Sequence, residues 1–238
     1  MTTRSRFYNG ILEYFDSVTF ERVKPLAPVV FEDDFFYRTL NVTDRWVAKD
    51  VSAAGDTTPL VVASGINGVA RMPLDATSEA QESGLTWNDN RQFVLNQGLI
   101  WEARVALSTL PTLLGMAVWG LAGNYNAVQN TVAESIWFRA NGDGVVLAES
   151  DDTVNEQNSI STGTTLTAGT YAIFRIDCTT ITDIKFYING VRVASSTTFT
   201  MAQVATLKLQ PYFSIVKASG AGLGVLDADV VRIWQKRT

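Results

Sequence analysis

Residues 183–193 of this chain read DIKFYINGVRV. Apolar side chains stand at Ile184, Phe186 and Ile188, then at Val191 and Val193 beyond Asn189-Gly190. That is a period of two, one face for a core and one for water, broken by the dipeptide best suited to a two-residue type I′ hairpin turn. Residues 170–176, 206–216 and 226–234 are further strand candidates with turn signals between them. The expectation is an antiparallel all-β protein.

Size fits one such domain. At 238 residues and 46% hydrophobic the chain can fill one sandwich core, and is short for two domains. Its net charge of −5, with Lys and Arg scattered apart from Arg4/Arg6 and Lys236-Arg237, argues against a nucleic-acid surface. A single cysteine, Cys178, excludes an intrachain disulfide and reads as a half-buried structural thiol. The chain has no histidine, which removes the commonest zinc sites, the usual catalytic triads and histidine proton switches. Residues 1–15 do not have the pattern of a signal peptide. No run approaches the ~18 apolar residues of a membrane helix. The expectations are a soluble protein, no nucleic acid and no membrane as partner, and no cofactor.

Residues 1–30 differ from the rest. Phe7, Tyr8, Ile11, Leu12, Tyr14 and Phe15 make an aromatic-rich segment of neither clean period, followed by Pro25 and Pro28. It reads as an N-terminal extended arm that either covers an edge of the main domain or docks on a neighbour. The main domain is expected over residues 31–238, beginning with Phe31, Phe35 and Phe36 packed inward around Asp33-Asp34. Asn67-Gly68 suggests a second tight turn, and Gly84 a bulge within the strand 79–87. In residues 98–107, Leu99, Trp101, Ala103, Val105 and Leu107 form the core face. Residues 113–121 suit a central strand covered on both sides. Asn141-Gly142-Asp143-Gly144 marks a hairpin, residues 149–165 read as polar loop, and one short helix is expected at 126–133 and one turn near 201–204. At least ten short strands spaced about ten residues apart predict a two-sheet antiparallel β-sandwich or jelly roll.

Several segments carry a family resemblance: FEDDFF at 31–36 with Trp46 downstream, GLIWEARVAL at 98–107, FRANGDG at 138–144, AGTYAIFRI at 168–176, IKFYINGVRV at 184–193 and VLDADVVRIWQKR at 225–237. Their order resembles the concanavalin A-like, or laminin G-like, jelly-roll proteins of tailed bacteriophages. The resemblance implies a non-enzymatic virion structural protein, made in the host cytoplasm and placed on the capsid surface as a decoration or cement protein. Its implied partner is the major capsid protein, its assembly a homo-oligomer (a trimer by analogy), and residues 1–30 its capsid-docking arm. A tail- or fibre-associated role is the variant of the same reading.

Chemistry within the wider fold has three candidates. Hydrolysis in sandwich glucanases uses carboxylates at alternate positions of one strand, E-x-D-x-x-E; the closest spacing recognised is Asp227-x-Asp229, read as a solvated outer face with Arg232 as counter-ion. Calcium, known in laminin G-like relatives, has candidate loop ligands at Asn141-Gly142-Asp143-Gly144 (Asp143), where a hairpin turn is the competing reading, and at residues 149–152 (Asp151 and Asp152); Asp33-Asp34 is a metal pair or a turn. Carbohydrate binding is the rival function, as a lectin-like module of a tail fibre, with Tyr125 or Trp87 stacking on a sugar beside Asn- and Asp-rich loops.

Overall fold

The computed structural model describes residues 3–8, 11–16, 29–112, 114–204 and 206–237, with side chains from residue 29 onward. The strands are β1 (Thr3–Tyr8), β2 (Ile11–Asp16), β3 (Val29–Asp33), β4 (Val47–Val51), β5 (Leu60–Val61), β6 (Ala70–Leu74), β7 (Gln81–Thr86), β8 (Phe93–Val94) and β9 (Ile100–Thr109). They continue as β10 (Gly115–Ala122), β11 (Glu134–Asn141), β12 (Val145–Asp152), β13 (Glu156–Thr165), β14 (Ala172–Asp177), β15 (Lys185–Ile188), β16 (Val191–Val193), β17 (Lys208–Lys217) and β18 (Gly224–Gln235). Among the described residues helix is confined to 3-10 turns at Gln129–Thr131, where a longer helix was expected, and at Ala202–Val204, where a turn was.

Two antiparallel sheets result. The first runs β13-β12-β11-β10-β17-β7-β4, with β8 joining β17. The second runs β16-β15-β14-β9-β18-β6-β5, with β3 joining β18. β17 and β18, each beside the middle strand of its sheet, follow one another in sequence, so the chain's last crossing ties the layers together. The jelly-roll sandwich read from the sequence is the fold observed. Asn67-Gly68 and Asn189-Gly190 both carry positive φ at both positions, as type I′ turns need.

Aromatic rings meet across the layers. Trp101 of β9 lies 5.9 Å from Phe213 of β17, Trp119 of β10 lies 5.0 Å from Phe174 of β14, and Phe138 of β11 lies 5.1 Å from Phe186 of β15. All six rings are buried, and the period-two face Leu99, Trp101, Ala103, Val105 and Leu107 lies wholly in this core. Offset and edge-to-face contacts of this kind add to simple area burial.

Four details depart from the sequence expectations. Phe36 is 73% exposed, because Phe35 adopts φ 52° and turns the chain, leaving only Phe31 and Phe35 packed inward. Gly84 marks no bulge: its pairing with Lys49 and Ser214 is regular, and a Cβ there would lie 2.7 Å from the Phe213 carbonyl oxygen, so glycine serves close approach. Residues 149–165 are not loop but the end of β12 and all of β13, an edge strand whose polar residues alternate between half-buried and exposed. Cys178 is fully buried rather than half-buried, and burial drives its thiol pKa upward.

The arm also takes a different form. β1 and β2 pair as a hairpin, with Phe7 opposite Leu12 and Tyr8 opposite Ile11, in a sheet separate from the other two. The strand bounds place β3 in the second sheet from Val29, two residues before the expected domain start. The side chains of Phe7, Tyr8, Ile11, Leu12, Tyr14 and Phe15 lie outside the described residues.

Phe138 contacts rings from both sheets with no exposed surface. Phe138→Ala is expected to lower unfolding free energy by about 3–5 kcal/mol, read by chemical denaturation, since the surrounding rings cannot collapse into the void. A loss below about 1 kcal/mol would mean that the core is not packed as described.

Candidate functional site: the outer face of the first sheet

Outward positions on the first sheet are unusually polar yet covered. Residues 123–133, linking β10 to β11, fold back across β10, β17 and β7. Tyr212 donates its hydroxyl to the Asn126 carbonyl at 2.8 Å, and the Gln210 amide donates to the Gly123 carbonyl at 2.7 Å. The Tyr125 hydroxyl donates to Glu82 Oε2 at 2.6 Å, and Ser214 Oγ donates to Glu82 Oε1 at 3.1 Å. Val118, Ala122, Val132, Trp137 and Tyr212 form a second small core beneath this strap. A strand covered on both sides, as β10 was expected to be, is the result.

Glu82 is 3% exposed, and its pKa is raised. Burial is the largest cause; the hydroxyls of Tyr125 and Ser214 and the charge of Lys49 offset it only in part. A carboxyl whose folded pKa lies above its unfolded value helps folding below the unfolded pKa and loses that help as pH rises through the folded pKa. Glu82→Gln can keep both hydroxyl contacts without a buried charge. It is expected to raise Tm relative to the parent at pH 7 and not at pH 4, read by thermal melts across that range. An advantage that grows toward acid would contradict the sign.

Beyond the strap the face opens into a cleft of about 330 Å³ over β11, β12 and β13. Gln129, Trp137, Arg139, Glu149, Asp151 and Asn158 are among its lining. Glu149 and Asp151 occupy alternate outward positions of β12, and Glu156 stands directly opposite Asp151 on β13. Glu149 is locked: Trp137 Nε1 donates to Oε2 at 2.9 Å, Arg139 Nε lies 3.0 Å from the same oxygen, and the Ser159 amide donates to Oε1 at 3.1 Å. Its side chain is 3% exposed. Asp151 is more open, and its pKa is raised by burial first, then by the charges of Glu156 and Asp152. Asn158 donates to Glu156 from the rim.

One atom in this cleft lacks a partner. Gln129 is 1% exposed, and its Nε2 donates to the carbonyl and Oγ of Ser214 at 3.1 and 3.0 Å. The Ser214 carbonyl fixes which end of the amide is nitrogen. Oε1 is left buried with no hydrogen-bond partner among the described residues. An orphaned buried acceptor costs about 1–3 kcal/mol unless something supplies a donor.

The sequence candidates fall elsewhere or serve otherwise. Tyr125 belongs to the strap, with Lys49 Nζ 3.8 Å from its ring centroid and Tyr212 stacked at 6.2 Å, so its ring is not an open sugar platform. Trp87 borders a separate cleft of about 380 Å³ with Phe31, Asp44, Arg45, Asn90 and Gln92. Phe31 at 5.0 Å and Phe93 at 5.3 Å crowd its ring, so it forms a wall there. Asp143 caps the β11–β12 turn through the Val145 amide. Asp151 and Asp152 stand at the opposite end of β12, about 20 Å along the strand, so the three cannot share one calcium ion. The Asp152 carboxylate is already spent on the amides of Val154, Asn155 and Gln203. Among the described residues no group of three His, Cys, Asp or Glu side chains could hold a metal.

Asp33-Asp34 is a turn. Asp33 accepts from the Phe35 amide, the Tyr37 hydroxyl and Trp46 Nε1, while Asp34 accepts from the Phe36 amide. Asp227 and Asp229 are not a solvated face: they are 2% and 6% exposed, and their counter-ions are Arg71 and Arg104, whereas Arg232 pairs with Glu32. The first two positions of the E-x-D-x-x-E spacing occur at Glu149-x-Asp151, which reading residues 149–165 as a loop concealed, but the third falls on Val154, so the full pattern is absent.

No family model matches the chain, and no curated protein matches it. Solved structures do. A Bacteroides ovatus GH16 protein from a mixed-linkage glucan locus, solved with a G4G4G3G product, is 12% identical with TM-score 0.61, covering 85% of this chain and 99% of its own. The laminarinase of Rhodothermus marinus is 12% identical with TM-score 0.60, covering 89% and 99%. The carbohydrate recognition domain of Emp47p is 7% identical with TM-score 0.53, covering 87% and 95%. At such identities the likeness establishes the fold, a concanavalin A-like jelly roll. By their descriptions all three act on or recognise carbohydrate, and none of the three descriptions mentions a virion.

Proposed function

We propose that the protein is a non-enzymatic carbohydrate-binding module that holds a neutral glycan chain in the cleft over β11, β12 and β13. The observation that carries this is a cleft rich in hydrogen-bonding groups whose wall includes Gln129, a residue with an unpartnered buried acceptor, Oε1. A sugar hydroxyl is a donor of the right size, and Asp151, Glu156 and Asn158 supply further partners around it. Solved proteins of this fold that act on or recognise glycans support the ligand class.

Glu149 supports binding without hydrolysis. Retaining hydrolysis needs two reachable carboxyl groups about 5 Å apart. Glu149 holds the alternate-position spacing with Asp151, but both its oxygens are engaged and it is shut off from solvent. It orients Trp137 and Arg139, so it is not free to act with Asp151 as a catalytic pair.

Asn158 and Glu156 are exposed, so altering them spares the fold. Titrating mixed-linkage and β-1,3-glucan oligosaccharides by calorimetry is expected to show binding that weakens about tenfold in Asn158→Ala or Glu156→Ala, with no new reducing ends on long incubation. Unchanged affinity in both variants would remove the cleft from the reading; release of reducing ends would make the protein a hydrolase.

A second reading, attachment to a larger assembly such as a viral capsid, is favoured by one feature: β1 and β2 pair only with each other among the described strands. A lone hairpin is marginal in water and gains stability from a surface to lie on. Removal of residues 1–28 should leave the sandwich folded and abolish such attachment; attachment at unchanged affinity would end that reading.

A further inference from the structure

The outer face of the second sheet holds a second arrangement that glycan binding at the first does not use. β18 shifts register against β9 between Ala228 and Val230, a bulge at Asp229. Leu226 and Ala228 precede the bulge in the core, and Val231 and Ile233 follow it there. The bulge lets Asp227 and Asp229 both leave the core while the strand beyond stays in register with it. Arg71 on β6 grips Asp227 with a two-pronged contact, Nε to Oδ1 at 2.8 Å and Nη2 to Oδ2 at 2.7 Å. On β18's other side, Arg104 on β9 binds Asp229, and its guanidinium lies 4.3 Å from the Tyr171 ring centroid. Ser108 donates to Asp227 from beside them.

The charges are layered. The two aspartate side chains are 3% and 8% exposed, and the two arginine side chains are 35% and 40% exposed. Cations therefore stand outermost, fixed in direction by anions behind them. Arg71, Arg104, Ser108, Tyr171 and Asn67 border one cleft of about 440 Å³. The aspartates leave Arg71 Nη1 and Arg104 Nε and Nη2 unused, and the Tyr171 hydroxyl adds a donor. An array of donors held rigid by buried partners matches the oxygens of an anion, and arginine forks do so better than lysine points.

We propose that this cleft binds a small molecule through a carboxylate or phosphate oxyanion seated between Arg71, Arg104 and Tyr171. The site lies on the opposite layer from the glycan cleft and stands or falls separately from it. The test follows amide and side-chain shifts of residues 67, 71, 104 and 171 by NMR. Sodium D-glucuronate, glucose 6-phosphate and inorganic phosphate are titrated into the full chain, with D-glucose as the neutral control. Saturable millimolar binding of at least one anion is expected, with no shift of these residues by D-glucose. Glucuronate alone would identify a carboxylate ligand, glucose 6-phosphate alone a phosphate ester, and inorganic phosphate alone a free phosphate. Arg104→Lys keeps a cation opposite Asp229 but loses the fork, and is expected to bind about tenfold more weakly. Tyr171→Phe, which removes one hydroxyl and keeps the ring under Arg104, serves where the first variant fails to fold and is expected to weaken binding as well. Absence of binding by all three anions, equal response to D-glucose, or unchanged affinity in a folded variant would overturn the proposal.

Discussion

Aromatic rings facing each other across two pleated layers hold this molecule together. Trp101 against Phe213, Trp119 against Phe174 and Phe138 against Phe186 each join one sheet to the other. Because the inner faces take nearly all the large apolar side chains, both outer faces are free to carry polar chemistry. Neither outer face is simply wet. The first is strapped by residues 123–133 over Glu82 and Ser214, and the second is laced by arginine–aspartate pairs. Buried charges of this kind add little net stability and often reduce it, so their presence fits faces shaped for something other than folding.

The strap decides what the first face can do. It anchors Tyr125 and Gln129 on β7 and β17, closing the middle of the sheet and leaving one opening over β11 to β13. The same anchoring fixes the Gln129 amide so that its nitrogen meets Ser214 and its oxygen is left without a hydrogen-bond partner among the described residues. Glu149, tied to Trp137, Arg139 and the Ser159 amide, stiffens the floor of that opening. The same contacts that stiffen this surface engage both Glu149 oxygens, so Glu149 is not free to pair with Asp151.

Much of the fold was legible in the sequence wherever one face of a strand is apolar. The alternation in residues 98–107 assigned every core residue of β9, and two Asn-Gly pairs marked their hairpins. Legibility failed where the pattern carries no apolar stripe. β13 alternates between half-buried and exposed polar residues, so nothing distinguishes it from loop. The site failed with it, because Glu149 and Asp151 can be seen as outward neighbours only once β12 is known to run through Asp152. β18 failed differently: its bulge cannot be read from periodicity, and the partners of Asp227 and Asp229 come from strands distant in sequence. Tyr125 and Trp87 carried the right residue type for a sugar site, but their rings are taken by Lys49 and Tyr212 in one case and by Phe31 and Phe93 in the other.

Hydrogen–deuterium exchange with and without a saturating glucan oligosaccharide tests the central claim most directly, since it maps where a ligand lies without altering any residue. Protection confined to residues 129–139 and 149–159 is the outcome this account predicts. Protection centred on residues 87–92, or none anywhere, would contradict it.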